Sequence, residues 1–413
     1  MVLRRGLAMM VVLVSVSRSA LAAQADPALD RARRILKASP LVDGHNDLAI
    51  VIREDAKAPG DVAAYDLRKR TSGDTDLERL RRGHVGAQFW SVYIPGEIKD
   101  SGYAKVQLEQ IDIARRIIER YPEALKLATS ASEVTAAFRE GKIGSLLGME
   151  GGHAIENSLG ALRAYYRLGV RYMTLTHNVT LDWADAALDA PRHNGLTPFG
   201  NEVVREMNRL GMIVDISHVT PKVMHDVLDI AESPVMFSHS SAKALTDHPR
   251  NVPDDVLRRL AKNGGVVMVT FIPAFVSQPV ADWDLKVREV TKGNPSLSDV
   301  RRIQDEYAKT HPRPVATLKD VADHIDHVRK TAGVDHVGIG SDFYGSPDMP
   351  KGLEDVSRFP HLFAELIQRG WSDADLAKLA GGNILRVLRA AEVNAGRIQK
   401  ARPASTVTFE RMR

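Results

Sequence analysis

The stretch VDGHNDL at residues 42–48 contains the pattern on which the fold assignment rests. It continues a short apolar run, and it places His45 and Asp47 two positions apart. On an extended chain such residues point to the same side, so both side chains can reach one metal ion. An isolated His-x-Asp pattern is common on protein surfaces, but here it follows an apolar strand and Gly44 allows a close approach. These features favour a functional site at the end of the strand.

Short apolar runs rich in β-branched residues alternate with longer segments of helical periodicity from residue 41 onward. This alternation is typical of a parallel sheet with crossover helices. The strand candidates are residues 41–45, 85–93, 125–129, 143–148, 171–176, 212–216, 234–238, 266–271 and 336–340. Helices are expected between them, for example at 103–121, 158–168, 200–210, 221–231, 253–263 and 318–332.

The nine strand candidates compete for the eight positions of a (β/α)8 TIM-type barrel. We prefer this α/β fold to a doubly wound open sheet because candidate functional residues follow so many different strands. In addition, the first strand-to-helix turn has no Gly-rich dinucleotide fingerprint. We predict one barrel domain at residues 26–400, with two or three helices at 353–399 as a C-terminal helical extension and a polar tail at 401–413.

Residues 273–314 break the alternation with charged, helix-like stretches. We interpret this segment as an insertion over the barrel mouth. A surface excursion without a function is the alternative interpretation.

The first residues resemble an export signal, predicted at residues 1–22. Arg4 and Arg5 precede the apolar run 7–16, and Ala20-Leu21-Ala22 offers a small-x-small cleavage site. An uncleaved amphipathic anchor is the alternative. From the predicted cleavable signal we expect a periplasmic or secreted protein without a membrane anchor. Removing residues 1–22 would take away three arginines and no acids, which leaves a nearly neutral body with no electrostatic case for nucleic acid.

The chain contains no cysteine, which excludes disulfides, thiolate metal ligands and cysteine nucleophiles. A metal would therefore be held by His, Asp and Glu. Glu150 follows an apolar strand in the stretch GMEGGH at 148–153, and two further strand candidates run into His218 and His239. Together with His45 and Asp47 this set suits zinc, and Glu150 is suited to bridging two ions. Such a pair lowers the pKa of a shared water towards about 7, which implies hydrolysis.

Three more residues are candidates for contact with a substrate. His177 also follows a strand, and it could hydrogen-bond a carbonyl or an oxyanion, ligate metal or be structural. Asp342 follows the last strand candidate, and it could accept a proton from water, deliver it to a leaving amine or hold an α-amino group. Arg250 lies in a loop before a helix. Its guanidinium either binds a carboxylate through two hydrogen bonds or is a charge exposed to solvent.

These residues lie in strings that resemble the membrane (renal) dipeptidase family, a metallopeptidase branch of the amidohydrolase-like barrels. The strings are DGHNDL at 43–48, GMEGGH at 148–153, LTHN at 175–178, DISHV at 215–219, FSHSS at 237–241, RNVPDD at 250–255 and GIGSDF at 338–343. The resemblance covers roughly residues 40 to 390. Each string alone is a modest signal, but their joint occurrence in family order is highly specific.

The resemblance implies a barrel with two Zn²⁺ ions that cleaves dipeptides with free ends, L,L and also L,D, by means of a metal-bridging hydroxide. By this resemblance His45 and Asp47 hold one ion, His218 and His239 hold the other, and Glu150 bridges them. His177, Arg250 and Asp342 would face the substrate: Arg250 would grip the terminal carboxylate and Asp342 would transfer the proton. Some family members also open β-lactam rings of the penem type.

The chain departs from the vertebrate members of that family because it has neither cysteines nor a lipid-anchor signal. Disulfide-linked dimerisation and membrane attachment therefore do not carry over, and a homodimer is implied by resemblance alone. One rival interpretation is another amidohydrolase-like enzyme, such as a D-aminoacylase or a cyclic-amide or β-lactam hydrolase. Several of those use a carboxylated lysine as the bridge, and no lysine lies between Lys142 and His177. The other rival is a non-catalytic metal-binding or peptide-binding protein.

Overall fold

Nine parallel strands form one sheet in the computed structural model, which describes residues 26–98, 102–292 and 297–412. The strands are β1 (Leu41–Asn46), β2 (Val85–Ser91), β3 (Leu125–Leu127), β4 (Ile143–Glu150), β5 (Val170–Thr174), β6 (Ile213–Asp215), β7 (Met236–Phe237), β8 (Val266–Val269) and β9 (Val337–Ile339). All nine strand candidates are therefore strands, although several end earlier than predicted because the functional residues that follow them lie in turns.

Eight of these strands close into a barrel, which confirms the predicted fold. β9 pairs with β1, and β2 pairs directly with β4 from Ala87 opposite Gly144 to Ser91 opposite Gly148, so the ring closes without β3. β3 lies along only the first residues of β4, with Leu125 opposite Ile143. The candidate at 125–129 is therefore the ninth strand, which is attached to the barrel but is not part of its ring.

Helices connect the strands and extend the chain beyond the last one. They are α1 (Pro27–Ala38), α2 (Leu48–Arg53), α3 (Leu77–Arg82), α4 (Tyr103–Arg120), α5 (Ala131–Arg139), α6 (Leu159–Arg167), α7 (Pro198–Leu210), α8 (Pro221–Ile230), α9 (Asp254–Asn263), α10 (Pro273–Val276), α11 (Gln278–Thr291), α12 (Leu297–Thr310), α13 (Leu318–Ala332), α14 (Phe359–Gln368), α15 (Asp373–Ala377) and α16 (Asn383–Ala401).

The ends of these helices follow from local sequence. Thr197 and Thr220 accept hydrogen bonds from the backbone N–H groups at the starts of α7 and α8, and Pro198 and Pro221 occupy first helical positions that need no N–H partner. α7 ends at Gly211, whose φ of 84° is a left-handed conformation that glycine adopts without a steric penalty.

The apolar core has two layers, one between the strands and the helices and one inside the ring. The inner cluster includes Val42 and Phe89 from the strands, and it continues into Ile384 and Leu388 of α16. α16 therefore packs against the end of the barrel where the strands begin, as the predicted C-terminal extension requires. Closure of this end leaves the carboxyl ends of the strands open for a functional site.

The segment predicted as an insertion contains α10, α11 and α12, between β8 and α13. Its boundaries at 273–314 and those of the single domain at 26–400 stay predictions. The predicted export signal at 1–22 lies outside the described residues. Among the helices that the structure describes, none is long and apolar enough to cross a bilayer.

Candidate metal centre and substrate pocket

The predicted metal ligands converge at the carboxyl ends of the barrel strands. Glu150 is the last residue of β4, and His45 is the fifth of the six residues of β1. Asp47 immediately follows β1, while His218 and His239 lie in turns just after β6 and β7. Because all the strands are parallel, these ends meet at one rim. His218 has a left-handed backbone conformation with φ of 66°.

Glu150 lies at the centre of the cluster, and its two carboxylate oxygens face different partners. Oε2 lies 3.5 Å from Nε2 of His45, and that Nε2 atom lies 3.4 Å from Oδ1 of Asp47. Oε1 lies 3.0 Å from Nε2 of His218 and 3.3 Å from Nε2 of His239. The five predicted ligands thus form two groups that share Glu150, each with ligand atoms within 4.8 Å of one another.

Hydrogen bonds on the far side of each imidazole fix the direction of its Nε2 atom. Nδ1 of His45 lies 2.8 Å from the hydroxyl oxygen of Tyr172, which itself donates to the carbonyl oxygen of Gly44. Nδ1 of His218 lies 3.1 Å from Oδ1 of Asn178. In this arrangement each Nδ1 atom donates its proton outward, so Nε2 keeps a lone pair directed at the centre of the site.

His239 is oriented by a buried chain that the sequence analysis missed. Its Nδ1 atom lies 2.8 Å from Oγ of Ser238, and that hydroxyl donates to Oδ2 of Asp215 at 2.5 Å. Asp215 also accepts from the Thr174 hydroxyl and from the backbone N–H groups of Ser217 and Ser238. A carboxylate held by four donors is a rigid anchor. The sequence did contain one indication of this network, because Asp215 lies in an apolar strand and a buried charge needs hydrogen-bond partners nearby.

The cluster has the properties expected of a metal site. Nε2 of His45 and Oδ1 of Asp47 are buried without a hydrogen-bond partner among the described residues, which is costly unless a cation is bound. Burial lowers the pKa of His239 to about 3, so its imidazole is neutral as metal ligation requires. Burial also acts to lower the pKa of His45, but Tyr172, Asp47 and Glu150 outweigh it and raise that pKa well above its ordinary value. Excess negative charge around His45 is therefore available to a cation.

His177 lies beside the ligands rather than among them. Its Nε2 atom is 3.8 Å from Oε1 of Glu150, and its ring packs against Tyr93 at 4.8 Å and His218 at 4.5 Å between ring centres. Burial lowers its pKa, so the ring is a neutral hydrogen-bond donor or acceptor. It lines the pocket above the cluster.

Asp342 lies closer to the ligands than its predicted role requires. One carboxylate oxygen is 3.9 Å from Nε2 of His45, and Asp342 forms a third candidate ligand group with His45 and His239. Burial raises its pKa well above the ordinary value, which suits a group that carries a proton. Its φ of 63° is left-handed, and a Cβ atom on Gly345 would lie 2.3 Å from the carboxylate. Gly345 therefore leaves the space that this side chain occupies.

Arg250 is buried, with only 1% of its surface exposed. Its Nη1 and Nη2 atoms donate at 3.4 Å to Oγ of Ser240 and to the carbonyl oxygen of His239, and its Nε atom has no partner within the described ranges. No carboxylate lies within 4.0 Å of it among the described residues. The guanidinium also faces the Phe275 ring, 5.3 Å from its centre. A buried guanidinium without an acid in salt-bridge distance, as found here in the described part of the chain, leaves a positive charge that an anion can neutralise.

A cavity of about 520 Å³ joins these groups. It is lined by Glu150, His177, Arg250 and Asp342, and its volume lies in the range of small-molecule sites. The buried guanidinium of Arg250 and the cluster of candidate metal ligands therefore face the same cavity.

The chain resembles known dipeptidases over most of its length. The family model described as "Membrane dipeptidase (Peptidase family M19)" matches residues 29–402. An uncharacterized dipeptidase of Schizosaccharomyces pombe is 43% identical over 382 residues, which cover 88% of this chain and 83% of that protein.

Two solved structures have the same fold and similar sequences. The probable dipeptidase PvdM from Pseudomonas aeruginosa matches with a TM-score of 0.78 and 25% identity, over 89% of this chain and 99% of that one. A metallo peptidase from Rhodobacter sphaeroides, liganded with a phosphinate mimic of the dipeptide L-Ala-D-Ala, matches with a TM-score of 0.72 and 25% identity, over 86% and 99% of the two chains. The chain therefore belongs to the membrane dipeptidase family, peptidase family M19.

Proposed function

We propose that this metal-dependent dipeptidase binds two zinc ions and hydrolyses free dipeptides. His45 and Asp47 would hold one ion, His218 and His239 the other, and Glu150 would bridge them. The observation that carries this proposal is the opposite orientation of the two Glu150 oxygens, each within 3.5 Å of an imidazole nitrogen. Imidazoles and carboxylates, with no thiolate in the chain, are a donor set that suits zinc.

Zinc bound here would polarise the peptide carbonyl and supply a hydroxide nucleophile at neutral pH. His177 would hydrogen-bond the carbonyl oxygen as negative charge develops on it, because its neutral ring lies 3.8 Å from Glu150 at the edge of the cluster. Asp342 would accept the proton of the attacking water and deliver it to the leaving amine, since burial raises its pKa above that of an ordinary carboxyl group and so favours proton uptake.

Arg250 would bind the C-terminal carboxylate of the substrate. Its guanidinium is buried, and no acid within salt-bridge distance among the described residues neutralises it. A carboxylate in the pocket would complete this pair, whereas an amide or a longer peptide would leave the charge unpaired. This requirement is the basis for proposing dipeptides with a free carboxyl end.

The substrates proposed are L,L and L,D dipeptides. The related metallo peptidase from Rhodobacter sphaeroides is liganded with a mimic of L-Ala-D-Ala, which supports a D residue at the C-terminal position here as well. We also propose that the chain is exported to the periplasm or secreted after cleavage near residue 22, without a membrane anchor. N-terminal sequencing of the mature protein tests this cleavage, and light scattering tests the homodimer.

Hydrolysis of a dipeptide panel tests the activity. Free L,L and L,D dipeptides are assayed with the protein as purified, after chelation, and after zinc is added back. Loss on chelation and recovery with about two zinc ions per chain supports the proposal. Lack of cleavage by the zinc-loaded protein would contradict it. N-acyl-D-amino acids, hydantoins and a penem are assayed in parallel, since faster cleavage of any of these would favour the rival amidohydrolase-like activities.

A further inference from the structure

One face of α11 forms a wall of the substrate pocket. The residues of this helix that line the cavity recur at helical spacing, so they share one face. They are Gln278, Ala281, Asp282, Asp284, Leu285 and Arg288. Leu285 is 56% exposed although it is a large apolar residue. An exposed leucine directed at a binding cavity is available to pack against a bound molecule.

Most charged groups of this wall already have a partner. Asp284 accepts two hydrogen bonds from Arg313, at 3.0 Å and 3.1 Å. Asp282 accepts a hydrogen bond from Gln278 at 2.7 Å. Arg288 has no carboxylate within 4.0 Å among the residues whose side chains the structure describes. It is therefore the positive charge of this wall that a ligand could pair with.

Arg288 and Arg250 both line the pocket, and both lie near His248. The ring of His248 also lines the cavity, and it packs against Phe275 with ring centres 4.4 Å apart. Burial and then the positive charges of Arg250 and Arg288 hold the pKa of His248 at about 3. Both guanidiniums therefore act on one ring. Asp247, the neighbouring acid of this loop, pairs with Lys243 at 2.5 Å.

We propose that Leu285 and Arg288 form the subsite for the side chain of the C-terminal residue, and that Arg288 selects an acidic side chain there. The inference rests on the proposed function, because Arg250 must hold the terminal carboxylate for the adjacent side chain to reach α11. Leu285 would cover the methylene groups of a glutamate, and the guanidinium would pair with its carboxylate. The preferred substrates are thus dipeptides with a dianionic C-terminal residue.

Steady-state kinetics of the zinc-loaded protein on Ala-Glu and Ala-Gln test this subsite. Glutamine has nearly the same shape as glutamate but no charge, so the ratio of their kcat/KM values isolates the ion pair. An exposed pair of this kind corresponds to a ratio of about fivefold. R288M should reduce the ratio to about one, and salt near about 1 M should do the same to the wild type. K286M is the matched control, since Lys286 is on the same helix, outside the pocket, and pairs with Glu289.

The outcomes separate the subsite from the proposed function. A wild-type ratio that falls in R288M and persists in K286M supports the subsite. A wild-type ratio near one, or the same ratio in R288M, overturns the subsite, while cleavage of Ala-Leu shows that the dipeptidase assignment stands. If the zinc-loaded wild type cleaves none of the three dipeptides, the proposed function fails and the subsite fails with it.

Discussion

Glu150 presents only one of its two oxygens to His45, with Oε2 lying 3.5 Å from the Nε2 atom of that histidine. The other oxygen, Oε1, faces His218 and His239 at 3.0 Å and 3.3 Å. A single side chain thus connects two groups of ligands that come from different strands. The charge of this carboxylate should therefore affect both metal positions.

Glu150→Gln should lower both activity and metal content. The amide keeps the shape of the side chain but removes the negative charge, and its NH₂ group cannot ligate a cation. Loss of a group that only hydrogen-bonds a metal ligand typically lowers metal affinity or activity about 10-fold to 100-fold. Since Glu150 would itself be a ligand, we expect dipeptide hydrolysis to fall by more than about a hundredfold. Metal analysis should find fewer than two zinc ions per chain. Glu119→Gln, at an exposed position on α4, is the control, and a fully active variant with two ions would contradict the bridging role.

Arg250→Ala should damage cleavage of free dipeptides far more than cleavage of their C-terminal amides. Hydrogen bonds to a charged group contribute about 1.5 to 3 kcal/mol, so kcat/KM for the free dipeptide should fall by roughly 10-fold to 100-fold. Arg250→Lys keeps the charge but loses the two-pronged geometry, so it should lie between the wild type and alanine. Equal losses on acid and amide would remove the carboxylate role.

Phe275→Leu should raise KM for free dipeptides by about fivefold, with a smaller change in kcat. The centre of the Phe275 ring lies 5.3 Å from the guanidinium carbon of Arg250. The backbone carbonyl oxygen of Phe275 accepts a hydrogen bond from the side-chain amide of Asn251 at 2.8 Å. A cation–π contact contributes about 1 kcal/mol, which is the basis for this expectation. Phe409→Leu, outside the pocket, is the control. A loss that is equally large for the amide substrates would indicate a general structural defect instead.

Ser238→Ala should weaken zinc binding without unfolding the barrel. The Ser238 hydroxyl lies between Nδ1 of His239 and the carboxylate of Asp215, so its removal frees the imidazole to turn. Loss of such a partner typically reduces metal affinity about 10-fold to 100-fold. Competition with a fluorescent chelator measures this change. The control is Ser233→Ala, because the buried Ser233 hydroxyl has no partner in the part of the chain that the structure describes. Equal affinities in both variants would refute the role of Ser238.

His324→Gln should make stability less sensitive to acid. The Nδ1 atom of this buried histidine accepts a hydrogen bond from the backbone of Ala242 at 3.0 Å, and Nε2 lies 3.2 Å from the carbonyl oxygen of Val276. Burial lowers the pKa of His324 to about 4. Below pH of about 6.5 the unfolded chain therefore binds a proton that the folded chain does not, and stability is lost as pH falls towards about 4.

This linkage corresponds to about 2 kcal/mol of unfolding free energy between pH of about 7.5 and about 5. Glutamine can replace both hydrogen bonds but does not titrate, so H324Q should lose correspondingly less stability over this interval. Urea unfolding at the two pH values measures the difference. H311Q, at an exposed histidine, should behave like the wild type, and parallel pH dependence in H324Q and the wild type would contradict the assignment.

The barrel was predictable because a parallel strand buried on both faces leaves a strong local signal. Each of the nine runs rich in β-branched residues is a strand, and the polar residues that the sequence singled out lie at the carboxyl ends of strands or soon after them. The sequence could not decide that residues 125–127 lie outside the ring. That outcome depends on the direct pairing of Ala87 with Gly144, which is a contact between segments far apart along the chain.

The chain by itself determined which residue types could bind a metal, since it has no cysteine and its strands run into His45, Glu150, His218 and His239. Only the tertiary structure decided how these side chains are oriented. The hydrogen bonds that connect Asp215, Ser238 and His239 join residues that lie at the ends of different strands, so no local pattern could reveal them. The unpaired charge of buried Arg250 is likewise a property of what surrounds it. The sequence specifies the chemical type of each side chain, whereas the burial of a side chain and its distance from other groups arise only when distant segments pack together.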